Sequence, residues 1–139
     1  MEDTQIKDSL LKGAYVAKEE LEKAEKYAKA NRMTLAEALI AQNLITKDLL
    51  GQGIAEGFRI PYADLNSYPP TKEQALKIPE EIAKKYRVVL FKEEEGGVTI
   101  TTDNPASPAA LNDLKILFPG KKIVITYSLP EDIEAAFNI

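Results

Sequence analysis

Residues 6–21 recur in pattern 29 positions later, at residues 35–50. Ile6, Asp8, Leu10, Leu11, Tyr15, Val16, Lys18, Glu19 and Leu21 fall opposite Leu35, Glu37, Leu39, Ile40, Leu44, Ile45, Lys47, Asp48 and Leu50. An internal repeat of this length means that one small supersecondary unit is built twice, so it has to be recognised before any fold is assigned. Only Leu10/Leu39, Lys18/Lys47 and Leu21/Leu50 are identical. The echo is therefore one of apolar spacing, which two unrelated amphipathic helix pairs would also give.

Each unit reads as a short helix, a turn, an apolar pair and a second helix. Thr4 is placed to cap the first helix, over 4–13, with Ile6, Leu10 and Leu11 on one face. Ala17 to Asn31 is rich in Ala, Glu and Lys, all good helix formers, and Leu21, Ala24, Tyr27 and Ala28 make its apolar stripe. Thr34 followed by Glu37 is a capping box for the third helix, which should close at Asn43. Thr46 caps a fourth from Lys47 to about Glu56, and Gly57 closes the second unit.

From residue 58 the pattern changes. Phe58 to Leu65 reads as an extended exit, because the residue before Pro61 is pushed away from the helical region. Asn66–Thr71, with Pro69-Pro70, reads as a loop. Lys72–Lys77 holds a helical turn or two, and Pro79 sits in the first turn of a helix ending near Tyr86. Val88–Phe91 and Val98–Thr101 flank Glu93-Glu94-Glu95-Gly96-Gly97, a β-hairpin with a solvated acidic turn. Asp103-Asn104-Pro105 ends it. Ser107 is expected to cap a helix with Leu111, Leu114, Ile116 and Leu117 facing inward. Pro119-Gly120 breaks that helix before a strand over Ile123–Tyr127, and a last helix starts at Pro130. A right-handed crossover brings the third strand alongside the hairpin.

The expected fold is α+β. A helical subdomain of two repeated helix-turn-helix units (1–57) leads through an extended linker (58–71) to a small ββαβα subdomain (72–139) with a three-stranded mixed sheet.

Composition removes whole classes of chemistry. With no Cys there are no disulfides and no thiolate metal sites, and with no His there is no Ser-His-Asp triad, His-based zinc site or His phospho-acceptor. Ten acidic side chains face eight basic ones in residues 1–57, and twelve face ten in 58–139, so neither half offers nucleic acid a basic surface. No apolar run approaches the roughly 20 residues that span a bilayer, and the N-terminus lacks a basic-then-apolar leader; no direct membrane insertion is expected. There is no Gly-x-x-x-x-Gly-Lys-Ser/Thr loop. Gly51-Gln52-Gly53 has no strand before it, and reads as a thinned helix packed closely against a neighbour. Asp103 with Asp113, and Glu80 with Glu81, read as caps and solvated faces, not as catalytic carboxylate pairs. Tyr15, Tyr27, Tyr62 and Tyr86 read as core-edge residues.

Several ordered segments carry a resemblance. They are Leu44-Ile45-Thr46 with Leu50, Ile60-Pro61-Tyr62-Ala63-Asp64-Leu65, the run from Ile78-Pro79-Glu80 to Tyr86-Arg87-Val88-Val89, Asp103-Asn104-Pro105, Leu111-Asn112-Asp113-Leu114 and Pro130-Glu131-Asp132-Ile133. In this order and spacing the chain resembles the N-terminal domain of the hexameric ATPases that drive type II secretion and type IV pilus assembly (the GspE/PilB group).

The resemblance implies a non-catalytic, cytoplasmic module with no cofactor, joined in cis to an ATPase motor. It would dock that motor to a platform or regulatory protein and reach the inner membrane through that partner. Leu44 and Ile45 are the candidate partner contacts, as exposed apolar residues of the helical half.

Some members of the family also bind cyclic-di-GMP through tandem motifs whose repeat distance equals the offset found here. Each motif opens with Arg-Leu-Gly, has a second Gly before an apolar pair, and closes with Gln. Arg can stack on guanine and pair with phosphate, and Gly lets the backbone approach. In this chain the Arg positions hold Gln5 and Thr34, the first glycines Lys7 and Ala36, the second Ala14 and Asn43, and the closing Gln Ala28 and Gly57. The ligand frame thus reduces to Gln5, Leu10, Leu11, Thr34, Leu39 and Ile40, an apolar skeleton without the polar contacts. Arg32 lies two residues before Thr34, out of register.

Overall fold

The computed structural model describes residues 2–105 and 108–138. The chain divides into two compact units, Met1–Arg59 and Ile60–Ile139. Ser107, expected to cap a helix, lies outside the described residues.

The first unit is α1 (Asp3–Lys12), α2 (Lys18–Ala30), α3 (Leu35–Ala41) and α4 (Lys47–Phe58). Its backbone repeats along with its sequence. Tyr15 N–H donates to the Leu10 carbonyl and Leu44 N–H to the Leu39 carbonyl, both at 2.9 Å. Gly13 N–H donates to Ser9 and Gln42 N–H to Ala38, both at 3.0 Å. Ala14 and Asn43 both turn left-handed, with φ of 59° and 56°. Ile6/Leu35, Leu10/Leu39, Val16/Ile45 and Leu21/Leu50 are all buried, so matched positions build one core. α1 packs on α3 and α4, and α2 on α3. Gly53 in α4 is what lets α1 in: a Cβ there would lie 2.5 Å from Leu10 Cδ2.

A left-handed alanine is strained by about 1–2 kcal/mol, whereas Asn tolerates this region. Ala14→Gly is expected to raise stability by about 0.5–1 kcal/mol, the relief exceeding the extra freedom of the unfolded chain. Asn43→Gly should gain less. Thermal denaturation of the two variants measures the difference.

Three local expectations change in this unit. α1 is capped by Glu2, whose carboxylate accepts from the third helical residue while Gln5 accepts from the Glu2 N–H at 2.9 Å. Thr4 lies inside the helix. α4 runs through Gly57 to Phe58 and is closed by Arg59 at φ 62°, so the stop is a left-handed arginine. Tyr27 is exposed beside a buried Leu21–Ala24–Ala28 stripe.

The second unit holds α5 (Lys72–Ala75), α6 (Glu80–Tyr86), β1 (Val88–Glu94), β2 (Gly97–Thr102), α7 (Pro108–Leu117), β3 (Lys122–Tyr127) and α8 (Pro130–Phe137). The sheet order is β1-β2-β3, with β1 antiparallel and β3 parallel to β2. The α+β class and the mixed three-stranded sheet are as expected from the sequence. One face of the sheet carries Val88, Leu90, Val98 and Ile100 against Ile78, Leu114 and Phe118. The other carries Val89 against Leu65, Ile133 and Ala136. Ile116, expected to face inward, is 77% exposed. Leu114 in α7 and Phe118 just after it pack on the sheet, and Ile116 does not.

Residues 58–71 are held in part by backbone hydrogen bonds. Phe58 ends α4, and from Pro61 the chain is strapped to the sheet. Tyr127 N–H donates to Pro61 O at 2.9 Å and Ala63 N–H to Tyr127 O at 2.8 Å, while Ala63 and Leu65 are buried. Beneath the strap, the Ser128 hydroxyl donates to Ala63 O at 2.6 Å. Its single hydrogen is thereby committed, so Thr101, whose Oγ1 lies 2.6 Å from Ser128 Oγ, is the donor of that second bond.

The acidic run is more than a solvated turn. Glu93 accepts from Lys121 at 2.8 Å and is paired with Lys77. The Lys121 hydrogen bond, and then Lys77, hold its carboxyl below the usual carboxylate range. A depressed folded value adds stability above the unfolded pKa of about 4.3 and loses it as pH falls through the folded one. In an NMR titration Glu93 should therefore titrate below the ordinary glutamate value of about 4.3, and Lys121→Met should move it back up.

Candidate functional site

The residues assigned to a ligand frame from sequence all lie in the first unit, and Gln5, Leu10, Thr34 and Leu39 already have structural tasks. Leu10 and Leu39 are fully buried core residues with no surface for a ligand. Leu11 is exposed and Ile40 half-buried. Gln5 is the reciprocal member of the α1 cap. Thr34 caps α3: Glu37 N–H donates to its Oγ1 at 3.1 Å, and Thr34 N–H donates to Glu37 Oε1 at 3.2 Å.

The polar groups around them are engaged too. Leu35 N–H, the first amide of α3, donates to Asp3 Oδ2 at 3.1 Å. The first repeat thus caps the second with a carboxylate placed where the dipole favours negative charge. Lys7 pairs with Glu25 at 2.9 Å, and that hydrogen bond raises its pKa. Arg32 is left-handed and exposed, closing α2 where Met33 N–H reaches back to Ala28 O. Tyr15 donates its phenol hydrogen to Glu56 Oε1 at 2.6 Å. Sequence reasoning could not find the Asp3 cap, because its partner is 32 residues away and nothing local marks it.

The candidate partner contacts fare differently. Leu44 is half-buried. Ile45, read as exposed, is 8% exposed; like Val16 in the first repeat it follows the left-handed turn and points into the core.

In the second unit the carboxylates read as structural are engaged as such. Arg87, left-handed at the end of α6, donates from Nε to Asp103 Oδ2 at 2.7 Å and from Nη1 to Glu134, with its guanidinium 5.8 Å over the Phe137 ring. One side chain thereby pins the end of α6, the exit of β2 and α8. Tyr86 donates to Asp113 at 2.8 Å, and Glu80 pairs with Lys84. No cluster of His, Cys, Asp or Glu among the described residues has the arrangement of a metal site. No helix among them is long and apolar enough to cross a membrane. The sequence reading passed over Tyr68, Leu76 and Val124, which are exposed apolar residues of this unit. They lie in a Pro-rich loop, at the end of a one-turn helix and on a sheet edge, where period carries no signal.

Fold and site define a doubled helical unit joined to a small mixed-sheet unit, with its polar groups engaged in its own caps and ion pairs. Residues 58–138 match the family model of the MshEN domain, and the chain belongs to that family. The match takes in the sheet-bearing unit and leaves out the repeat. Among curated proteins, the chain is 30% identical over 118 residues to the type IV pilus assembly ATPase PilB of Thermus thermophilus, covering 83% of this chain and 13% of that one. It is 27% identical over 92 residues to PilB of Pseudomonas aeruginosa, covering 66% and 16%. It therefore spans about a seventh of the length of these ATPases.

Two solved structures share the fold through both units. That of MshE with cdg has a TM-score of 0.61 at 20% identity, covering 96% of each chain. That of the N-terminal domain of XpsE has a TM-score of 0.53 at 18% identity, covering 99% of this chain and 95% of the other.

Proposed function

We propose that this domain is a non-catalytic docking module of a type IV pilus or type II secretion ATPase. It joins a motor carried in cis to a platform or regulatory protein of the machine, and reaches the membrane through that partner. The observation that carries this reading is how the repeat uses its polar groups. Gln5 serves Glu2, Thr34 serves Glu37, Asp3 serves Leu35 and Lys7 serves Glu25. A frame whose donors and acceptors satisfy one another supports a scaffold. Apolar residues at its surface include Leu11, Tyr27 and Leu49, with Ile40 and Leu44 half-buried. A pull-down with the immobilised domain should retain the platform or regulatory protein of its own machine. Recovery of neither counts against docking.

The second reading is a cyclic-di-GMP sensor, favoured by the fold shared with MshE with cdg. It asks phosphates to approach Gln5 and Thr34, neither of which is cationic, beside the Asp3 carboxylate. Calorimetric titration with cyclic-di-GMP is expected to give no saturable heat; a 1:1 isotherm would replace the docking reading with sensing.

A further inference from the structure

β3 is an edge strand, and its two ends reveal which of its backbone groups are free. Lys122 N–H donates to Gly96 O and Ser128 N–H to Thr102 O, so the even-numbered amides face β2. Tyr127 faces the other way, where both its N–H and its carbonyl are taken by the Pro61–Ala63 strap. Strand residues alternate, so the N–H and C=O of Ile123 and Ile125 also point outward. They have no partner among the described residues. Beside this open stretch Val124 is 37% exposed, and Lys122 is exposed with no carboxylate against it among the described residues.

We propose that the Lys122–Thr126 edge is where a partner protein adds a strand, an extended segment carrying a carboxylate that meets Lys122 and an apolar side chain that covers Val124. The proposal rests on the docking reading and names the recognition mode. Unpaired N–H and C=O groups repeating every second residue are satisfied in line by another strand's backbone. Charge selects the occupant. A second copy paired in parallel sets Lys122 against Lys122, and one paired antiparallel sets it against Thr126, so neither brings the missing carboxylate. The strap at Tyr127 bounds the pairing at one end, and the added strand occupies the lane the strap has begun.

The test uses amide hydrogen exchange by NMR on the whole chain. In the free protein Ile123 and Ile125 should exchange at least about tenfold faster than Val124 and Thr126, their neighbours in the same strand. The probe is a synthetic peptide of alternating valine and threonine with a glutamate at each end. It should slow Ile123 and Ile125, and a version N-methylated at alternate residues should not. Lys122→Glu should weaken the peptide about two- to fivefold, as loss of an exposed ion pair does. Slow exchange at Ile123 and Ile125 without peptide, growing with protein concentration, would overturn the proposal in favour of self-pairing. Absence of protection by the peptide, or protection confined to other surfaces, would also overturn it.

Ile125→Pro removes an outward N–H and spares the β2 ladder, although it also trims a half-buried side chain packed on the sheet core. If wild type and this variant both retain the platform protein, docking stands and the edge does not carry it. If wild type retains none, docking itself fails. Should the proline variant not fold, Lys122→Glu serves in the same pull-down, and undiminished retention there counts against the edge.

Discussion

Leu39→Ala lowers the stability of the helical unit by about 2–5 kcal/mol, and Leu10→Ala lowers it by a similar amount. Both side chains are fully buried, both precede a left-handed turn, and both have a carbonyl accepting from the fifth residue on. Truncation removes the transfer energy of the lost methyl groups and leaves a cavity that the repeated backbone is too well bonded to close. The costs should diverge in one respect. Leu10 lies where a Cβ on Gly53 would sit, so Leu10→Ala opens room that Gly53→Ala can refill, whereas the atoms nearest that Cβ belong to Leu10 and Tyr15 and not to Leu39. Urea denaturation of the singles and of the Leu10→Ala/Gly53→Ala double variant measures this. A double variant no more stable than Leu10→Ala would mean that the Gly53 contact does not set the approach of α1 to α4.

Ser128→Ala costs about 2–4 kcal/mol, more than loss of an ordinary surface hydroxyl, because it strands two buried groups at once. The Ala63 carbonyl loses its donor, and the Thr101 hydroxyl loses its acceptor. Thr101→Val removes a donor and leaves Ser128 still bonded to Ala63, so it should cost less. The order Ser128→Ala above Thr101→Val follows from the direction of the hydroxyl chain. The reverse order would mean that the hydrogens run the other way. Exchange at the Ala63 amide should accelerate in the first variant and hardly change in the second.

Features set by neighbours in sequence were legible from the amino-acid order. The Thr34–Glu37 box, the Thr46 cap, the Asn31 stop, the hairpin and the helix starting at Pro130 depend on a few adjacent residues, and each stands where its pattern placed it. What failed depended on distant partners. The exception is the first cap, which is local: Thr4 is the residue type that the rule prefers, yet the helix starts after Glu2, whose N–H bonds Gln5 three residues on. Ile116 lies five residues after Leu111 and two after Leu114, off their helical stripe, and the face of α7 is chosen by the sheet it packs on. Ile45 looks like a free apolar residue until its turn rotates it inward. The alternation along β3 is unreadable without its neighbours, since no residue type distinguishes an inward amide from an outward one. At the ligand frame the sequence revealed which residue types were missing. It did not reveal that Asp3 occupies the first amide of α3.

The left-handed turns at Ala14 and Asn43 bear on how this domain can drift. A torsion of that sign admits glycine freely, asparagine readily and other residues only at a cost. The restriction comes from the chain reversing between two short helices, and it holds whether or not a ligand ever visits. A glycine at such a corner therefore records geometry before it records recognition. Two members of this family can agree at both corners and still have parted company over what they bind.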